Sequence, residues 1–71
     1  MQFLELTSWL SRGGEMVEAP ISINPRAISS ISPRSDGAMI CMMFAEAEYP
    51  IRHYVIQSYD VVMNTLRDLD A

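Results

Sequence analysis

The chain has 71 residues, of which 49% are apolar and 20% are charged, and its formal net charge at pH 7 is −4. These values are typical of one globular domain spanning residues 1–71, and they exclude an extensively disordered chain. Five arginines, no lysine and nine acidic residues disfavour nucleic-acid binding, because an acidic chain repels polyanions. No apolar run approaches the ~20 residues of a membrane-spanning helix, and no signal-peptide pattern opens the chain. We therefore expect a cytoplasmic protein that does not enter a membrane.

A strand is predicted at the start of the chain. Polar and apolar side chains alternate over residues 2–10 as far as Leu6, as they do in a half-buried strand. A helix is the alternative, because Phe3, Leu6 and Leu10 also recur at helical spacing. The two consecutive glycines within residues 11–15 predict a turn that breaks the pattern.

A second strand is predicted over residues 16–24. Pro20 lacks a backbone donor, so this strand is expected at a sheet edge or at a bend. The sequence Asn24-Pro25-Arg26 predicts a turn in which the asparagine side chain bonds the backbone ahead. The apolar residues of the strand share one parity and predict its buried side: Val17, Ala19, Ile21 and Ile23.

Two strands joined by a tight hairpin are predicted in the middle of the chain. Residues 27–32 form a short β-type run, although the spacing of three between its two isoleucines fits a strand imperfectly. Residues 33–37 predict the hairpin turn, in which Asp36 and Gly37 supply the positive φ angles of a tight turn. Residues 38–44 are apolar on both parities. Such a strand is either covered on both faces or partly buried in a subunit contact.

A polar connection, a last strand and a helix complete the pattern. Residues 45–48 form the connection, and residues 49–57 predict a strand with Pro50 near its start. Ser58 is predicted to cap the helix N-terminus, because its hydroxyl can accept from a free backbone amide. Apolar residues then recur at helical spacing: Tyr59, Val62, Met63, Leu66 and Leu69.

The predicted fold class is α+β. It comprises a small antiparallel β-sheet of four or five strands, open or barrel-like, with one C-terminal amphipathic helix on one face. The other face is solvated or meets another subunit, and Met39, Cys41 and Met43 favour the subunit contact. A chain of this length buries only about 60% of its unfolded surface, and without disulfides or metals association is the usual stabiliser. We therefore expect a homo-oligomer.

The linear layout resembles that of the FlbD-type family of small bacterial and phage proteins. The segments that carry the resemblance are FLELT, ISINPRAISSISP, RSDGAMI and YVIQSYDVVMNTL, which cover most of the chain. The family's final hairpin commonly carries Gly-Lys, whereas residues 44–50 here are longer, acidic and without glycine. Membership would imply a compact binding or regulatory protein with no catalytic residues to transfer.

Residues that bear chemistry are few. One cysteine and one histidine exclude an intrachain disulfide and an ordinary zinc site. On neighbouring strands Cys41 and His53 would form a thiolate–imidazole pair, but the apolar residues around Cys41 favour a structural thiol. The double glycine lacks the spacing of a phosphate-binding loop, and the Asp-Gly pair lacks the ligands of a calcium loop. We expect no enzyme activity, no metal and no cofactor.

The function predicted from the sequence is a self-associating protein–protein interaction or regulatory module with an unknown protein partner. Aromatic residues, methionine and arginine are enriched at interfaces, which makes Trp9, Met39, Met43 and Tyr54 the candidate contact residues. One alternative is a nucleic-acid-binding small β protein, which requires the five arginines to converge on one face. A second alternative is a phage structural subunit that assembles with itself.

Overall fold

A computed structural model describes residues 2–44 and 48–70, and in these ranges it contains five strands and one α-helix. The strands form a single sheet in the order β2-β1-β5-β4-β3, and all neighbours are antiparallel. The predicted α+β fold is confirmed, and the sheet is open, with β2 and β3 at its edges. No helix in the described part of the chain is long and apolar enough to cross a bilayer. The elements are β1 Leu4–Arg12, β2 Glu15–Ile23, β3 Ile28–Arg34, β4 Gly37–Met42, β5 Ile51–Val55 and α1 Tyr59–Asp70.

Strands β1 and β2 form one long hairpin. Their pairing runs without interruption from Leu4 opposite Ile23 to Arg12 opposite Glu15. The strand prediction for the first segment is therefore confirmed over its helical alternative. The predicted break over residues 11–15 is too wide, because only the two glycines form the turn, with φ of 60° and 85°. Glycine reaches these angles without steric cost, so the flanking residues stay in the ladder.

Strand β2 is an edge strand, as its proline predicts. Pro20 lies opposite Thr7 of β1, and no strand among the described residues pairs with the other side of β2. The strand is followed by a short 3-10 turn, Pro25–Ala27. The Asn24 side chain accepts a hydrogen bond from the Arg26 backbone amide at 3.1 Å, which confirms the predicted turn.

A β-bulge explains the irregular isoleucine spacing of strand β3. The register with β4 shifts between Ile28 and Ser30, so one extra residue is accommodated there. Ile28 and Ile31 consequently both pack against the core although they are three residues apart.

The β3–β4 hairpin differs from the prediction at its turn. Arg34 pairs with Gly37, so the two-residue loop is Ser35 and Asp36. The predicted positive φ at Asp36 is wrong, because only glycines among the described residues have positive φ. Gly37 is the first residue of β4 and has φ 145°. A side chain there would run into the Val55 carbonyl oxygen of β5, so the glycine allows a close approach of two strands.

The last strand is shorter than predicted. Strand β5 covers five residues, Ile51–Val55, and Pro50 immediately precedes it. Strand β4 likewise ends at Met42 rather than at residue 44. Most of the polar connection predicted over residues 45–48 lies outside the described residues, which resume at Glu48.

The helix covers one face of the sheet. The Ser58 hydroxyl accepts from the Val61 amide at 3.3 Å, which confirms the predicted cap. Val62 is fully buried, and Leu66 and Leu69 pack against the same core. The helix contacts β1, β3 and β4. The buried strand residues beneath it are Leu4, Leu6, Ile23, Ala38, Ile40, Met42 and Val55.

Candidate functional site

The sheet face opposite the helix is uncovered by any described element. We call it the open face. Strand register places Met39 of β4 opposite Tyr54 of β5 on this face. The pair Ser8 and Val55 joins β5 to β1, and one step along this antiparallel register brings Trp9 beside Tyr54. Three of the four candidate contact residues therefore form a row across the three central strands.

The fourth candidate residue lies outside this row. Met43 follows the last residue of β4, and its side chain is 53% exposed. Its backbone amide donates to the Ala27 carbonyl at 3.0 Å, which ties it to the start of β3. The structure thus unites Trp9, Tyr54 and Met39 but places Met43 beyond the strand end.

Polar residues surround the apolar row. On the same face, β3 contributes Ser30 and Ser32, opposite Cys41 and Met39. At the other edge the Ser22 hydroxyl donates to the Glu5 carboxylate at 2.6 Å. The central strands of the open face therefore carry Trp9, Tyr54, Met39 and Cys41, with Arg52 opposite Cys41. Aromatic residues, methionine and arginine are the residue types enriched at protein interfaces.

Hydrogen bonding and charge hold the aromatic end of the row in place. The Trp9 indole Nε1 donates to the Asp36 carbonyl oxygen at 3.5 Å, in the β3–β4 turn. The Arg34 guanidinium carbon lies 4.7 Å from the centre of the Tyr54 ring, within cation–π range. Arg34 also pairs with the Asp36 carboxylate at 3.3 Å. Contacts from β3 and from the β3–β4 turn thus reach both aromatic rings.

Strands β1 and β5 touch at a single point. Their ladder consists of one residue pair, Ser8 with Val55. Beyond it the Ile56 amide donates to the Thr7 carbonyl at 2.9 Å. The Gln57 side chain continues the contact, because its Oε1 accepts from the Thr7 amide at 3.0 Å and its Nε2 donates to the Thr7 hydroxyl at 3.2 Å. The Gln57 side-chain amide thus takes the place of the next backbone hydrogen bonds between β1 and β5.

On the other side of this junction the two strands diverge and leave a cleft of about 310 Å³. The residues that line the cleft are consecutive along their strands, so residues of both sheet faces border it. The open face contributes Trp9, Pro20, Arg52 and Tyr54, and the helix-side face contributes Ser8, Leu10, Ile21 and His53. The cleft therefore lies beside the β1–β5 junction, and it extends past β1 to Pro20 and Ile21 of β2.

The thiolate–imidazole pair considered from the sequence is not assembled. Cys41 lies opposite Arg52, whereas His53 lies opposite Ile40. Consecutive residues of a strand point to opposite faces, so the thiol and the imidazole lie on different sides of the sheet. Within residues 2–44 and 48–70 no group of three or more His, Cys, Asp or Glu side chains is arranged to hold a metal ion.

Two functional features escape sequence reasoning. Gln57 was predicted only as the last residue of a strand, and Arg52, one of the five arginines, only as a residue within that strand. Both acquire their roles from the pairing of the first and fifth strands, which are about 50 residues apart. The sequence contains no local signal for that contact, although Pro50 and Ser58 bracket the segment that makes it.

No protein-family model, no curated protein and no solved structure matches the chain. The resemblance to FlbD-type proteins therefore stays a prediction.

Proposed function

We propose that this chain is a non-enzymatic interaction module that self-associates through its open face. The observation that carries the proposal is the row of Trp9, Tyr54 and Met39 across the three central strands of an uncovered sheet face. Tryptophan, tyrosine and methionine are enriched at interfaces, and the first two dominate binding hot spots. A FlbD-like binding or regulatory role agrees with this proposal, and we place the protein in the cytoplasm, where the free thiol of Cys41 is stable.

The arrangement of charges favours a protein partner over nucleic acid. Arg34 and Arg52 lie on the open face, whereas Arg12 is at the hairpin tip, Arg26 in the 3-10 turn and Arg67 on the helix. Phosphate neutralisation requires several cations on one surface. The five arginines instead lie on separate parts of the described fold, which supports a protein partner over nucleic acid.

The proposal is tested by placing a charge at the centre of the row. Met39→Glu puts a carboxylate on the open face, and we expect the chain to become monomeric in sedimentation velocity experiments at concentrations where the unchanged protein is associated. Val61→Glu is the matched control. Val61 is 48% exposed on the first turn of the helix, where a carboxylate is favourable, so the association should be retained.

A second variant distinguishes loss of association from misfolding. Met39 is half-buried in β4, whereas Ser30 is exposed on the same face of β3. Ser30→Glu adds the charge without removing an apolar contact, and we expect weakened association with unchanged circular dichroism. Association that survives both Met39→Glu and Ser30→Glu would contradict the proposal.

A further inference from the structure

The cleft beside the β1–β5 junction exposes backbone hydrogen-bonding groups. Among the described residues, β5 pairs with β4 along its whole length but with β1 at one position only. Ile56 directs its amide to β1. Because successive residues of an antiparallel strand direct their backbone groups to alternate sides, Tyr54 and Arg52 direct theirs to the same side as Ile56. The backbone of Arg52 therefore faces the cleft without a strand partner there.

This unpaired edge has the dimensions of a short strand. The free part of β5, from Ile51 to His53, comprises three residues and is about 10 Å long at 3.3 Å per residue. A volume of about 310 Å³ is at the lower end of the ~300–1,000 Å³ range of ligand sites. Both measures fit a few residues of extended peptide better than a large cofactor.

Proline distinguishes the free part of β5 from the two outer edge strands of the sheet. Strands β2 and β3 carry Pro20 and Pro33, and prolines hinder the addition of another strand. The free part of β5 contains no proline. Proline therefore removes a backbone donor from each outer edge strand but from no residue of the free part of β5.

Charge defines the chemistry of the occupant. The ion pair found among the described residues joins Arg34 to Asp36, so no described carboxylate lies within 4.0 Å of the Arg52 guanidinium. Arg52 lines the cleft on the open face beside Trp9 and Tyr54. On the other face the cleft is lined by Leu10 and Ile21. Alternate side chains of an inserted strand would meet a cation on one face and apolar residues on the other.

We infer that this cleft binds an extended peptide segment with an acidic residue next to an apolar one, by β-strand addition to β5. Backbone hydrogen bonds hold the peptide, the acidic side chain meets Arg52, and the apolar side chain packs against Leu10 and Ile21. The inference rests on the proposed interaction function and gives it a partner chemistry. The peptide site is centred on Arg52, whereas the self-association proposal is centred on Met39. An experiment can therefore refute either proposal without refuting the other.

The test uses a displayed library of random decapeptides selected on the full chain. Enriched peptides are synthesised with a fluorescent label, and their binding is measured by anisotropy. We expect enrichment of acidic residues adjacent to apolar ones. Methylation of alternate backbone nitrogens in an enriched peptide should abolish binding, because strand addition needs those donors.

Two charge variants locate the site. Arg52→Glu should weaken binding of the enriched peptides at least about tenfold, since it replaces attraction by repulsion. Arg26→Glu makes the same charge change in the exposed 3-10 turn and should change binding less than about twofold. If Arg52→Glu does not fold, Arg52→Gln replaces it, with a smaller loss expected. Binding that survives the Arg52 change or backbone methylation would overturn the inference.

The outcomes separate this inference from self-association. A chain that associates but enriches no peptide overturns the cleft assignment and leaves the open-face proposal standing. A chain that stays monomeric and still binds acidic–apolar peptides supports the cleft assignment and refutes self-association. A third outcome is association that is lost in Arg52→Glu but retained in Met39→Glu. The cleft would then hold a second copy of the chain, which overturns both the cleft assignment and the open-face proposal.

Discussion

Replacing Gln57 by alanine tests whether a side chain joins the two halves of the sheet. Gln57 forms two hydrogen bonds to Thr7, of 3.0 and 3.2 Å, and both residues are half-buried. Near them β1 and β5 share one residue pair and one further backbone bond. Removal of the amide therefore affects a large part of the contact between the β1–β2 hairpin and the other three strands.

The expected loss follows from the two bonds. A neutral hydrogen bond contributes about 0.5–1.5 kcal/mol to stability, and an unsatisfied buried donor costs about 1–3 kcal/mol. Because water reaches the half-buried Thr7 amide in part, we expect Gln57→Ala to lower the free energy of unfolding by about 1.5 kcal/mol. In a domain of this size the corresponding fall in Tm is roughly 6–12 °C.

The assay is urea denaturation at one fixed protein concentration, since association adds to apparent stability. Gln57→Glu keeps the acceptor for the Thr7 amide and should lose less than Gln57→Ala. Ser22→Ala removes a bond of 2.6 Å to Glu5 that is exposed to solvent, and it should cost at most about 0.5 kcal/mol. A Gln57→Ala variant as stable as Ser22→Ala would refute the role given to the junction.

Two pairs of substitutions test the close strand approach and the core. Gly37→Ala should lower the free energy of unfolding by about 2 kcal/mol or more, because the added Cβ runs into the Val55 carbonyl and φ is 145°. Gly13→Asn, at a turn position with φ 60° and no atom within 4 Å, should cost less than about 1 kcal/mol. Val62→Ala, at a fully buried position, should cost about 2 kcal/mol, whereas Val61→Ala, at a 48% exposed position, should leave stability within about 0.5 kcal/mol. Urea midpoints measured at matched concentration check all four, and equal values within either pair would contradict the packing described.

Elements with a clear periodicity of apolar residues, or with a strong local capping or turn motif, could be predicted from the sequence. The alternation around Leu6 and the cap at Ser58 depend only on nearby residues, and both are confirmed. The Asp-Gly signal was wrong in detail, since Gly37 serves the approach of β5 rather than the turn itself. The sequence around residue 37 does not contain this information, because the contact is with a strand that begins at residue 51.

The candidate site depends on strand order, which periodicity does not determine. Met39 and Tyr54 were predicted as contact residues from their chemistry and, for Met39, from its side of an apolar strand. Their alignment with Trp9 exists because β5 inserts between β1 and β4. Met43 has the same chemistry but follows the end of its strand, so composition alone did not distinguish it from Met39. The cleft arises from the same insertion, because β5 pairs fully with only one of its neighbours.

The single tryptophan gives the most direct test of self-association through the open face. Trp9 is the only tryptophan in the chain and lies half-buried in the row. Its fluorescence and its quenching by acrylamide should be recorded over a dilution series whose molecular mass is followed by sedimentation equilibrium. We predict that dilution dissociates the protein, shifts the Trp9 emission to longer wavelength and increases quenching, because the open face becomes exposed to water. A constant monomer mass, or a change in mass with unchanged Trp9 emission and quenching, would contradict the account.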